Sequence, residues 1–99
     1  MGKVIRMAYY LYDSRGYVGD VASIGGWRDA YTAVAKLRPV PMMETFFNNG
    51  VAAQPKQLAK ALTVMVRRFQ RVLRSDVRST LDNLATLLSK CRGPAVLAE

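Results

Sequence analysis

Histidine is absent from the 99 residues, and Cys91 is the only cysteine. The missing histidine removes the commonest general base and the usual partner of a nucleophile. One cysteine and no histidine leave no zinc site. One thiol cannot form an intramolecular disulfide, which points to a reducing compartment. Long apolar runs are missing too, and nothing approaches the ~20 residues of a membrane span. The run from Met7 to Leu11 follows Lys3 and Arg6 but ends at Asp13, too soon for a secretory signal. The expected location is therefore cytoplasmic.

Acidic residues are scarce. Seven Asp and Glu face fifteen Lys and Arg, a net charge of +8. Asp13 and Asp20 flank a turn and are the one pair placed for acid–base work, but turn formation and solvated strand ends account for them. The segment Asp13 to Asp20 lacks the alternating oxygen ligands of a calcium loop, and Arg15 would repel the ion. Gly16, Gly19, Gly25 and Gly26 do not have the spacing of a phosphate-binding loop. Cys91 falls on an apolar helix face, where a small buried hydrophobe is the default. No enzyme and no cofactor are expected.

What is present suits one globular domain over residues 1–99. Hydrophobic residues make up 51% and charged residues 22%, and a chain of this length can bury a core without cross-links. The positive charge is uneven. Residues 1–53 carry six basic and four acidic side chains, whereas residues 54–99 carry nine and three. Such a localised field favours an acidic protein face, nucleic acid or anionic lipid.

The N-terminal segment alternates. Ile5, Met7, Tyr9 and Leu11 share one face of a strand, and Arg6, Ala8, Tyr10 and Tyr12 share the other. Asp13-Ser14-Arg15-Gly16 reads as a turn, so residues 4–22 are expected to form a β-hairpin. Helical spacing predicts a helix over 26–38 with Ser23 as a cap, and a short helix over 42–48 with Met43, Phe46 and Phe47 in the core. A break at 51–55 leads to the clearest element, a helix over 55–73 opened by Pro55. Leu58, Leu62, Met65, Phe69, Val72 and Leu73 fall within an arc of about 100°. Lys60, Arg67, Arg71 and Arg74 occupy an arc of about 60° opposite, with Arg68 beside them. Val64 interrupts that basic face, and the helical wheel gives no reason for it.

A last helix is expected over 76–92, with Ser75 as N-cap and Asp76 in the first turn. Gly93 and Pro94 stop it, and the tail from Ala95 to Glu99 is expected to fray or to pair with another element that its sequence does not reveal. The apolar stripes of the last two helices differ by about 100°, which favours an antiparallel helical hairpin over one bent helix. The fold class is therefore α+β, a two-stranded β-hairpin followed by about four helices, with a mainly α fold as the alternative.

The candidate binding residues are Lys60, Arg67, Arg68, Arg71, Arg74 and Arg78, with Arg6, Tyr10 and Tyr12 on the hairpin. Arginine's planar fork suits carboxylate and phosphate, and tyrosines beside arginine stack on bases or anchor protein interfaces. Gln57 to Leu62 resembles the opening of a helix-turn-helix motif, but no turn follows and the apolar stripe continues. A membrane-surface role would take the same apolar face away from the core. The expectation is a non-enzymatic binding or assembly module that docks an acidic protein surface through a basic helix face. Its size, charge and lack of histidine are common among phage and mobile-element accessory or structural proteins. Nucleic-acid binding by that face is the second reading, and an enzyme needing a cofactor or a partner's residues is the third. Homo-oligomerisation is left open.

Overall fold

The computed structural model describes residues 8–99. Strand β1 (Ala8–Asp13) turns through Ser14 and Arg15 into β2 (Gly16–Ser23). Asp13 holds the turn by accepting the Arg15 N–H at 2.8 Å, and Gly16 closes it at φ 110°, where a Cβ is disfavoured. The part of the predicted hairpin before Ala8, Arg6 included, lies outside the described residues. Two register shifts along β1–β2 mark bulges, which bend and twist the ribbon.

Helix α1 (Ile24–Lys36) starts two residues earlier than its sequence pattern suggests. Ser23 caps it as expected, its hydroxyl accepting the Gly26 N–H at 3.0 Å. Gly25 and Gly26 thus lie inside the first turn and do not break the chain. Helix α2 (Pro41–Asn49) ends at Gly50, which takes the left-handed conformation. Its Phe46 and Phe47 close on Trp27 of α1, and the Trp27 and Phe47 rings stack with centroids 4.8 Å apart.

The expected break at 51–55 opens with a two-residue strand, β3 (Val51–Ala52). The tail, for which fraying and pairing were the two expectations, pairs and forms β4 (Ala95–Ala98). It pairs antiparallel with β1 on one side and β3 on the other. The sheet is therefore four strands in the order β2-β1-β4-β3. Its inner face carries Leu11, Val21, Ala52 and Ala95, all buried.

Helices α3 (Pro55–Arg68) and α4 (Ser75–Lys90) form the antiparallel pair, two helices and not one bent rod. Helix α4 lies along β2. Glycine at position 19 allows this approach, because a Cβ there would stand 2.5 Å from Leu87 Cδ2. Asn83 donates from Nδ2 to the carbonyl oxygens of Asp20 and Val21, both at 2.9 Å. Those bonds occupy acceptors on an edge strand that would otherwise invite another strand. Helix α3 packs chiefly on α4, on the side away from the sheet. The core therefore runs from the inner sheet face through α1 and α4 to Leu58 and Leu62 of α3, both fully buried.

Candidate binding surface

The spacing of apolar residues in α3 sets which side meets α4. Leu58, Ala59, Leu62, Met65 and Val66 are buried there. This face is not available to a membrane surface, and among the described residues no helix is long and apolar enough to cross a membrane. Lys60, Arg67 and Arg68 remain exposed on the other side.

The helix ends five residues sooner than its pattern predicts. The N–H groups of Val72 and Leu73 both donate to the Phe69 carbonyl, at 2.9 and 3.0 Å, and tighten the chain into a turn. The turn carries Leu73 back into the core and throws Val72 outward, 73% exposed. Val72 is thus a correction to the predicted apolar stripe. Arg71 and Arg74 belong to the turn region and not to the helix, and both are exposed.

The arginines are not equivalent. Arg74 reaches Asp76 at 2.6 Å and Asp29 of α1 at 3.2 Å. The Asp76 hydrogen bond, reinforced by both carboxylates' charges, pushes the Arg74 pKa up, and Asp76 is held below the usual carboxylate range chiefly by that same bond. Among the described residues these are the only salt bridges, so Lys60, Arg67, Arg68 and Arg71 have no carboxylate partner there. Arg68 sits over the Phe69 ring, 5.7 Å from its centroid. Arg78 departs from the expected exposed stripe. It is half-buried on α4, and its Nε has no hydrogen-bond partner among the described residues. Helix α4 begins with Arg74 at the N-cap and no side-chain cap, so Ser75 does not take the predicted role. Asp76 serves the first turn by accepting the Val77 N–H at 2.9 Å.

Val64 is 63% exposed among these cations. The lone aliphatic residue on the basic side of the helical wheel is the sequence signal for a mixed surface. Nearby, the end of α1 adds a cation invisible to a single-helix analysis. Arg38 follows the C-cap of α1 at φ 52°, the left-handed region normally left to glycine.

The tyrosines lie elsewhere. Tyr10 and Tyr12 share one face of β1, as the alternation predicts, and both are half-buried. They pack on Tyr17, with ring centroids 6.4 and 6.0 Å away. Tyr17 donates its hydroxyl to Asp20, and that bond raises its pKa. Tyr12, Val96 and Val51 stand opposite one another across three strands. This face ends at the β1–β2 turn, beside the C-terminus of α4. The arginines cluster at the N-terminus of that 16-residue helix, roughly 24 Å away at 1.5 Å per residue. The two sets of candidate residues form separate surfaces.

The carboxylates weighed for catalysis have structural partners. Asp13 accepts the backbone N–H groups of Arg15 and Arg92, which hold its pKa low. Cys91 is buried, its thiol 3.4 Å from the Leu87 carbonyl, and burial pushes its pKa up. Among the described residues no cluster of three or more His, Cys, Asp or Glu could hold a metal ion.

The fold is α+β, a four-stranded antiparallel sheet with helices over its inner face. Compared with protein-family models, curated protein sequences and solved structures, the chain matches none.

Proposed function

We propose that the chain is a small non-enzymatic binding or assembly module that docks an acidic protein surface through the outer side of α3 and the turn after it. The observation that carries this reading is the mixture on that surface. Val64 and Val72 are largely exposed among Lys60, Arg67, Arg68 and Arg71. A surface that only keeps a protein soluble has no need of exposed branched aliphatics, and contacts to phosphate gain nothing from them. Arginine around an apolar centre is the composition of a protein interface. The tyrosine face stands too far away to add base stacking to the same site.

Two measurements test the reading together. Capture with the wild-type chain as bait is compared with capture by a Lys60→Glu/Arg67→Glu/Arg68→Glu/Arg71→Glu variant, and a duplex oligonucleotide is titrated at low salt. The expected result is a protein with an acidic surface that the variant no longer retains, and no tight complex with the duplex. A tight duplex complex would replace the reading with nucleic-acid binding. If four side chains met phosphates, log affinity would then fall against log salt with a slope of about −3 to −4.

A further inference from the structure

Between the α1–α2 connection and α3 lies a groove of about 470 Å³. Its floor is apolar, with Leu37, Val40, Met43, Val64 and Phe69 among its residues. Val40 is 47% exposed, so the floor is open to an incoming side chain. Among the described residues the polar side chains on its walls are all cationic: Arg38, Lys60 and Arg68 line the groove, and no carboxylate does. They come from two elements, so the positive charge stands on both sides of the floor. Arg38 holds its place in the left-handed backbone region, which a non-glycine residue rarely adopts. The groove follows α3 from Lys60 to Phe69, roughly 13 Å at 1.5 Å per residue.

We infer that this groove receives a short acidic amphipathic helix of a partner protein. Two to three turns of helix match its length. Apolar side chains at i, i+3 or i+4, and i+7 would enter the floor, and flanking Asp or Glu would meet Arg38, Lys60 and Arg68. Charge complementarity selects the occupant. A neutral helix would leave three cations facing apolar surface, and a basic one would be repelled. The inference rests on α3 being the docking face and adds which part of it is used and by what.

The test is selection from a random peptide library displayed on phage, followed by affinity measurements with the synthesised winners. The expected winners are acidic with apolar residues at helical spacing. Their dissociation constants should rise at least about tenfold on Val64→Asp and on Lys60→Glu, and change little on Arg67→Glu/Arg71→Glu. Both groove positions are exposed, and unchanged circular dichroism and melting would establish that the variants fold. Should Val64→Asp fail that control, Lys60→Glu carries the comparison. No enrichment, or winners without acidic residues, would overturn the inference. Winners lost only in the Arg67/Arg71 variant would place docking at the turn, overturning the groove and leaving the proposed function standing.

Discussion

The two ends of α4 handle polar groups in opposite ways. At its C-terminus the chain closes on itself. Asp13 accepts the Arg92 N–H at 2.9 Å, and Ser14 donates to the Arg92 carbonyl at 2.6 Å. Two side chains of the β1–β2 turn thus satisfy the backbone of a residue nearly eighty positions away. At its N-terminus one arginine, Arg74, is engaged by two aspartates, while Arg67, Arg68 and Arg71 have no carboxylate partner among the described residues. The first end is organised by the requirements of folding. The second carries cations and an exposed valine, Val72, that the fold does not use, which makes it a place to look for a partner.

The sharpest way to break this comparison is to remove β4. A chain ending at Pro94 loses the strand that joins β1 to β3, and with it Ala95, which is fully buried. A two-stranded ribbon is marginal alone. The truncated chain is expected to lose its cooperative thermal transition, and a melt followed by circular dichroism checks it. A retained transition would mean that the sheet is not what the C-terminal end of α4 is built around.

The next effect compares the two sides of α3. Leu62→Ala empties a site with no exposure and should cost about 2–5 kcal/mol in chemical denaturation. Val64→Ala, two residues away and open to solvent, should stay within about 0.5 kcal/mol of wild type. Equal losses would mean that Val64 is part of the core and not of a binding surface.

This division was legible in the sequence, because a continuous i, i+3, i+4 pattern can only be buried on one side. The faces of the hairpin were legible for the same reason, with period two. Other features were not. Ala95–Ala98 is too short to show alternation, and its partner strand lies at the far end of the chain, so pairing could not be read locally. The end of α3 at Arg68 carries neither glycine nor proline, and the apolar spacing runs on through the turn. Arg74 looked equivalent to Arg71 because Asp29 is 45 residues away. The groove was hidden because Arg38 and Lys60 belong to different elements.

Asp13 gives the folding end a pH dependence. Its folded-state pKa is lowered, first by the Arg92 N–H and then by that of Arg15. A depressed carboxylate contributes stability above its unfolded pKa of about 3.9 and loses it as pH falls through the folded value. Asp13→Asn should therefore melt below wild type near neutral pH, and the two melting curves should converge in strong acid. A gap that persists below the folded-state pKa would mean that the tie depends on shape and not on the charge.

The smallest effect separates two neighbouring arginines. Arg74→Glu sets a carboxylate against Asp76 and Asp29, where Arg74 now bridges both. Arg71→Glu replaces a cation with no carboxylate partner among the described residues. Both side chains are exposed, so solvent screens each change and neither should unfold the protein. Arg74→Glu is expected to lower the melting temperature slightly, with the loss shrinking as salt is added. Arg71→Glu is expected to leave the melting temperature unchanged at every salt concentration. If the two variants melted alike, Arg74 would rejoin the unengaged cations, and the basic end of α4 would be a uniform patch without one residue reserved for joining α1 to α4.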